Sequence, residues 1–337
     1  MGRSGGVRAI LFSTELTKSV RLVGFIEERI KETRSSGEED ATVRDLSGRL
    51  AELRNPLPKS GDVIDGIMIQ EEVGRGKGMV VFQATYRDEV VAFKILHPRF
   101  AGNSEACDMV DMEADVLRVA RHACLPHFIT AGTYRLLPYI VQSFAPGIDM
   151  FQFMDDHALG LSPRAIRCFI HLCDALDALH MNGVIHRDVK PANVLVAPSA
   201  PNNRVTLIDF NACQFVARGS GKKSAIGREV GTVDVMPPEV VRRLEAVPAS
   251  DTYAVAALLR LLAYNDFLFG APEHSRDEVV DRILRRSANP LPAESFDEEH
   301  GVPHGLRAVI QKGTAYEIKN RYLSARALAE ALEPFAQ

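Results

Sequence analysis

The stretch Val184-Ile-His-Arg-Asp-Val-Lys-Pro-Ala-Asn-Val-Leu-Val196 places four reactive or metal-binding side chain types within eight residues, between apolar flanks. They are those of His186, Asp188, Lys190 and Asn193. An aspartate can accept a hydrogen bond from an attacking hydroxyl, a lysine can neutralise a transferring phosphoryl group, and an asparagine can coordinate a metal. Turns that serve only the fold rarely combine these residues, so the stretch indicates a catalytic loop.

A second carboxylate, Asp209, follows a short apolar strand predicted at residues 205–208 and precedes Phe210 and Asn211. An aspartate at the end of a buried strand can cap a turn or bind a cation, and this segment alone leaves both interpretations open. Together with Asn193, it could coordinate a metal.

Glycines and a lysine nearer the N-terminus could complete a nucleotide site. The segment Glu72-Val-Gly-Arg-Gly-Lys-Gly-Met-Val-Val-Phe82 would let backbone amides approach phosphate oxygens closely. A glycine hairpin without a ligand is the alternative, because this signal is weak alone. Lys94 follows in a strand that otherwise reads as buried, and Glu113 on the next helix could pair with it and hold the ammonium toward phosphates.

In this order, the segments resemble the eukaryotic-type protein kinase superfamily over about residues 64–335. The resemblance rests on the glycine segment, Ala92-Phe-Lys94, Glu113, the stretch quoted first, Asp209-Phe-Asn, Gly231-Thr-Val-Asp-Val-Met-Pro-Pro-Glu239, Asp251 and Arg321. It implies an α+β, bilobal fold with a small antiparallel-sheet N-lobe containing one helix and a larger, mainly helical C-lobe. The kinase domain would span residues 61–337, with the N-lobe at 61–143 and the C-lobe at 144–337.

The resemblance also implies a role for each matching position. The implied catalytic residues are Asp188 as the base, Lys190, and the phosphate-positioning pair Lys94 and Glu113. The implied magnesium ligands are Asn193 and Asp209. The implied ATP-binding residues are Val73, Gly74, Gly76, Val81, Ala92, Lys94 and Leu195, with Ser143 and Ala145 in the hinge against which adenine hydrogen-bonds.

Other matching positions are expected to hold the fold. Glu239 and Arg321 would form a buried ion pair, and Asp251 would cap the helix that braces the catalytic loop. His171 and His180, on the helix predicted before this loop, are interpreted as ordinary helix residues.

The expected activity is ATP- and magnesium-dependent phosphorylation of protein serine or threonine, because in this family a lysine at the position of Lys190 accompanies that specificity. Two departures keep a pseudokinase scaffold as an alternative. Met79 stands where the family has a third glycine, and Asn211 replaces the glycine after Asp-Phe. Asparagine tolerates left-handed backbone angles, so the second change is predicted to be harmless. A small-molecule phosphotransferase is a further alternative.

A regulatory hypothesis concerns the basic segment between Asp209 and Glu239. A phosphate on Ser220 or Ser224 would give Arg187 and the neighbouring cations an anion on which to converge. A flexible loop whose serines only keep it soluble is the alternative.

Composition sets the remaining expectations. With 337 residues, 46% hydrophobic residues and a net charge of -4, the chain suits a globular protein without a nucleic acid partner. The apolar runs are shorter than the roughly 18 residues that cross a bilayer, so we expect a cytoplasmic protein without membrane contact. Five cysteines without a close pair indicate core thiols. Residues 1–60 read as a helical extension and linker of unknown role, open to a regulatory partner.

Overall fold

The structure is a computed structural model, which describes residues 25–27, 29–30, 40–76, 78–156, 161–197, 204–216, 235–269 and 274–337. Every structural statement below concerns these residues. They divide into two compact units. The first lies within Met1–Val110 and Thr130–Val141, and the second within Asp111–Ile129 and Gln142–Gln337.

The first unit contains most of a six-stranded sheet with the strand order β1-β2-β3-β4-β6-β5. The strands are β1 (Val63–Ile64), β2 (Ile67–Arg75), β3 (Met79–Tyr86), β4 (Glu89–Leu96), β5 (Phe128–Tyr134) and β6 (Leu137–Ser143). The pairs from β1 to β4 are antiparallel. The valine- and phenylalanine-rich runs that predict these strands supply the buried side of the sheet.

Two helices and a 3-10 turn lie before or between these strands along the chain. Helix α1 (Asp40–Arg54) packs against a 3-10 turn at Pro98–Phe100, which follows β4. Helix α2 (Ser104–Val119) begins four residues after that turn and passes from the first unit into the second. Residues 25–27 and 29–30 are also helical, as the amphipathic pattern of residues 14–34 predicts for that part.

The second unit is mainly helical. Its helices are α3 (Met150–Asp156), α4 (Pro163–Met181), α5 (Pro238–Val241), α6 (Pro248–Tyr264), α7 (Arg276–Leu284), α8 (Glu294–Glu299), α9 (Leu306–Gly313) and α10 (Ala325–Leu332). Ser162 starts α4 by accepting a hydrogen bond from the Ala165 amide at 3.2 Å, and Pro163 occupies the first turn. Almost every residue of α6 is buried, which makes it the central helix of this unit.

Short strands flank the loops of the second unit. Strands β7 (Ile148–Asp149), β9 (Val194–Ala197) and β10 (Arg204–Leu207) form one sheet in the order β10-β9-β7, and β8 (Val184–Ile185) pairs with β11 (Gln214–Phe215). Gly147, just before β7, has φ 145°. A Cβ there would lie 2.5 Å from the Val196 carbonyl oxygen, so this close approach requires glycine.

The predicted α+β class, with an antiparallel N-terminal sheet and a mainly helical C-terminal part, is confirmed. The cysteines are core thiols as predicted, except that Cys107 is only half-buried. Among the helices in the described ranges, none combines the length and the apolar character needed to span a bilayer.

Candidate active site

The catalytic loop runs from the end of β8 to the start of β9 and is anchored by α6. The Asp251 carboxylate, in the first turn of α6, accepts the backbone N–H of His186 at 2.9 Å and of Arg187 at 2.8 Å. Arg187 has φ 70°, a left-handed backbone angle that is unfavourable for residues other than glycine. The two bonds from one buried carboxylate hold this strained turn in place.

Asp188 follows this anchor and brings the expected catalytic side chains together. Its carboxylate is buried, with 7% of the residue exposed. Lys190 Nζ lies 2.5 Å from Asp188 Oδ2. Asn193 Nδ2 donates to the Asp188 carbonyl oxygen at 2.8 Å and to Oδ2 at 3.0 Å. Three of the sequence-predicted residues therefore form one hydrogen-bonded group.

Asp209 lies beside this group because β9 and β10 pair with each other. Leu207 is in register with Val194, and the Ile208 amide donates to the Asn193 carbonyl oxygen at 2.9 Å. Asp209 therefore directly follows Ile208, the residue whose amide is hydrogen-bonded to the backbone of Asn193. With the Asn193 amide nitrogen used by Asp188, its amide oxygen and the Asp209 carboxylate are left as hard oxygen donors. That donor set fits Mg²⁺, which takes one or two protein ligands together with nucleotide phosphates.

The backbone around Asp209 differs from the expectation for Asn211. The left-handed residue is Asp209, with φ 68°, and Asn211 is not among the residues with positive φ. Tolerance of left-handed angles is therefore the wrong reason for Asn211. Its Nδ2 instead donates to Asp209 Oδ1 at 2.6 Å, so the asparagine orients the carboxylate that it follows.

We expect Asn211→Gly to change phosphoryl transfer by less than about tenfold, equivalent to roughly 1.4 kcal/mol. The substitution removes one bond to Asp209 but leaves the carboxylate in place. Steady-state rates for the variant and the parent, with Asn320→Gly as a control on a distant 3-10 turn, would measure the effect. A large gain on introducing glycine would instead mean that Asn211 impairs the site.

The glycine segment and Lys94 meet within the first unit. Gly74 is in register with Val81, and Val81 with Lys94, so these residues form one row across β2, β3 and β4. Ala92 lies two residues from Lys94 in β4, on the same side of the strand. Lys94 is buried, with 6% of the residue exposed. The shared face supports the predicted role of these residues.

Gly76 and Met79 close the hairpin of the glycine segment. The Gly76 amide donates to the Met79 carbonyl oxygen at 2.9 Å. Met79 itself is buried in β3 opposite Leu96, so the residue at the third glycine position packs in the core. Val73 is 45% exposed.

The other predicted residues lie in the second unit. Ser143 ends β6, and its amide donates to the His127 carbonyl oxygen at 2.9 Å while its Oγ accepts the His127 amide at 2.9 Å. Ala145 follows in the connection to β7, and Leu195 in β9 is in register with Asp149 of β7. Glu113 is fully buried in α2.

His180 makes a contact that the sequence interpretation missed. Its Nε2 lies 2.8 Å from Asp251 Oδ2, so it is not an ordinary helix residue. The partner is 71 residues away, where the pattern of α4 could not reveal it. Burial raises the pKa of Asp251, but His180 and the backbone donors outweigh burial and hold it below its usual value. Asp251 also does not cap α6 as expected, because it lies inside the helix and binds the catalytic loop.

The predicted ion pair between Glu239 and Arg321 is confirmed. Arg321 donates from Nη1 to Glu239 Oε1 at 2.9 Å and from Nη2 to Oε2 at 2.8 Å. Ser250 Oγ donates to Glu239 Oε1 at 2.6 Å. Both members of the pair are buried, so the side chains rely on each other for charge compensation.

An open cleft adjoins Asp188 and Lys190. Its apolar side is formed by Val235, Met236, Pro237 and Val240, and its floor by Ser250, Asp251 and Ala254. The predicted phosphorylation sites Ser220 and Ser224, and residues 231–234 of the Gly231–Glu239 motif, lie outside the described residues.

Comparison with known proteins agrees with this geometry. The family model described as Protein kinase domain matches residues 67–331. The chain is 29% identical over 261 residues to the probable serine/threonine-protein kinase PknB of Lactococcus lactis, covering 77% of this chain and 40% of that protein. It is 29% identical over 284 residues to the serine/threonine-protein kinase PknD of Mycobacterium tuberculosis, covering 83% and 41%.

A third relative, the serine/threonine-protein kinase PknH of Mycobacterium bovis, is 28% identical over 276 residues, covering 80% of this chain and 44% of that protein. The chain thus spans about two fifths of the length of the first of these relatives. Because the family model matches well over half of the chain and the catalytic group lies within it, the chain belongs to the protein kinase domain family.

Proposed function

We propose that the chain is an ATP- and magnesium-dependent serine/threonine protein kinase, with residues 61–337 as its kinase domain. The observation that carries the proposal is the hydrogen-bonded group of Asp188, Lys190 and Asn193. It combines a proton acceptor, a cation and an amide oxygen donor at the base of one cleft. Phosphoryl transfer from a nucleotide to a hydroxyl can use this combination.

In the proposed reaction, the acceptor hydroxyl oxygen forms a bond to the γ-phosphorus while the bond from that phosphorus to the β–γ bridging oxygen breaks. ADP carries away the electron pair, and Asp188 accepts the hydroxyl proton. Lys190, 2.5 Å from Asp188, supplies positive charge beside the transferred group. Asn193 and Asp209 would hold magnesium, which neutralises phosphate charge when bound.

Residues of the first unit are proposed to bind the nucleotide phosphates. Backbone amides of the segment that contains Gly74 and Gly76 suit phosphate oxygens, and Lys94 supplies a cation in the same row of the sheet. In the second unit, the backbone from Ser143 to Ala145 would hydrogen-bond the adenine ring, and Leu195 would cover its face. Glu113 would position Lys94.

The cleft beside Asp188 supports a protein acceptor. The pocket is lined in part by the apolar side chains of Val235, Met236 and Pro237, which could contact a peptide that carries the reacting hydroxyl. The relatives in the comparison are named serine/threonine-protein kinases, which favours a protein hydroxyl over a small molecule. The pseudokinase alternative gains no support from these names. A cytoplasmic location and the absence of nucleic acid and membrane partners remain predictions.

The test is incorporation of label from γ-labelled ATP, with magnesium and a generic protein acceptor, by the parent and by Asp188→Ala. We expect label on serine or threonine with the parent. The variant should incorporate at least about a hundredfold less label, because the proton acceptor is gone. Phosphoamino acid analysis identifies the acceptor. Equal incorporation by both proteins would contradict the role of Asp188, and none by either would support a scaffold.

A further inference from the structure

Helix α1 lies outside the matched kinase domain but packs on it at a defined place. Its contact is the 3-10 turn Pro98–Phe100, between β4 and the helix that carries Glu113. Gly48 of α1 faces this turn, because a Cβ there would lie in van der Waals contact, 3.5 Å from the Cβ of Arg99. A glycine in the middle of a helix is unfavourable by about 1 kcal/mol relative to alanine.

Polar contacts flank Gly48 along the same helix. Glu52 Oε1 lies 3.7 Å from Nδ1 of His97, the residue that begins the turn. Arg54 pairs with Glu27, which ties the preceding helical residues to the end of α1. Burial and the charge of Arg99 lower the pKa of His97, so at neutral pH the ring is uncharged and the contact with Glu52 contributes little charge attraction. Docking of α1 therefore depends mainly on its packing against the turn Pro98–Phe100.

The turn beneath α1 is bonded directly to the glycine hairpin. The backbone N–H of His97 donates to the carbonyl oxygen of Gly78 at 2.8 Å. Gly78 immediately precedes β3, whose first residue, Met79, is in register with Leu96 at the end of β4. A Cβ on Gly78 would also lie 4.0 Å from Met109 Cε of α2. The turn is thus bonded to the hairpin, while α1 packs on the turn and Met109 of α2 lies near Gly78.

We propose that α1 is a positioning element for nucleotide binding, which holds the turn Pro98–Phe100 and thereby the bond from His97 to Gly78 at the base of the glycine hairpin. With α1 docked, the hairpin is restrained at its base. With α1 displaced, the hairpin samples more conformations, and the fraction competent to receive phosphates falls. The proposal rests on the proposed function for its effect on nucleotide, whereas the restraint on the hairpin is independent of it.

The experiment compares Gly48→Leu with Arg49→Leu in the full chain. Leucine at position 48 favours the helix, but its Cβ would lie 3.5 Å from the Cβ of Arg99 and the rest of the side chain would extend into the turn, so it should displace α1. Arg49 has 67% of its side chain exposed, so leucine there adds the same group to the same helix away from the contact. Hydrogen–deuterium exchange of residues 45–54, 72–80 and 92–100 is measured for both, together with the affinity for Mg-ADP and the separate kcat and KM for ATP.

We expect Gly48→Leu to accelerate exchange at residues 45–54 and also at the glycine hairpin and the His97 amide. It should weaken Mg-ADP binding by about fivefold or more and raise KM with little change in kcat. Arg49→Leu should match the parent. Faster exchange at residues 45–54 with an unchanged hairpin would overturn the proposal, since α1 would then be docked without restraining it.

A second variant, Gly48→Trp with Ala51→Glu, covers the case in which one leucine is accommodated. If neither variant changes exchange at residues 45–54, the close contact at Gly48 is not what docks α1, and the proposal is overturned. If the parent does not bind Mg-ADP, the proposed function fails, and the exchange of the hairpin still decides whether α1 restrains it.

Discussion

Replacing Asp209 with alanine should lower phosphoryl transfer by at least about a thousandfold while the protein stays folded. The side chain lies next to Asn193 through the bond from Ile208, and it is the charged member of the pair proposed to hold magnesium. Its replacement removes a negative ligand but no core packing, because Asp209 is only half-buried. Alanine would also have to keep the left-handed angle of φ 68°.

Lys94→Met should cause a loss of the same order, since it removes the cation of the row containing Gly74 and Val81 and keeps a side chain of similar length. Asp111→Ala, at an exposed position of α2, is the matched control and should match the parent. Initial rates at saturating ATP and circular dichroism spectra are measured for all variants. Turnover close to the parent in either site variant would show that the active site is assigned wrongly.

The second large effect concerns stability. Arg321→Met should lower the free energy of unfolding by about 3–5 kcal/mol, because it leaves the Glu239 carboxylate buried without its cation. Arg321 also donates to the carbonyl oxygens of Ala315 at 2.6 Å and Tyr316 at 2.7 Å, and lies over the Tyr253 ring at 4.6 Å. The variant therefore loses several contacts at once. Urea unfolding followed by fluorescence and circular dichroism would measure it.

A surface pair supplies the control for that measurement. Arg286 pairs with Glu317 at 2.9 Å, with 61% and 47% of the side chains exposed. Arg286→Met should change the free energy of unfolding by no more than about 1 kcal/mol, because water screens the pair. The double variant Glu239→Leu with Arg321→Met should recover part of the stability lost by the single one. Equal effects of the two arginine substitutions would contradict the importance of burial.

Much of this protein could be predicted from local patterns. Apolar runs at residues 67–73, 80–86, 90–96, 128–134 and 138–144 predict β2 to β6 closely. Helical patterns at residues 162–180 and 275–286 predict α4 and α7 within one or two residues of their ends. Asp188 and Asn193 are only five positions apart, so a single loop can bring their side chains together. The hydrogen bonds between these two residues therefore follow from a pattern that the sequence displays directly.

Contacts between distant segments could not be predicted in the same way. His180 and Asp251 are 71 residues apart, and no periodicity in either helix relates them. The left-handed angle at Asp209, where a glycine would be less strained, is also invisible to residue propensities. The packing of α1 depends on a surface of the first unit that exists only after the sheet has formed.

The pairing of Glu239 with Arg321 has a consequence for the order in which the chain is made. The two residues are 82 positions apart, so during synthesis the carboxylate precedes its guanidinium by about 4 to 16 s at typical rates of roughly 5–20 residues/s. Ser250, 11 positions later, can donate a hydrogen bond in that interval but cannot supply positive charge. Burial of Glu239 with its charge neutralised by Arg321 therefore requires that synthesis has passed residue 321.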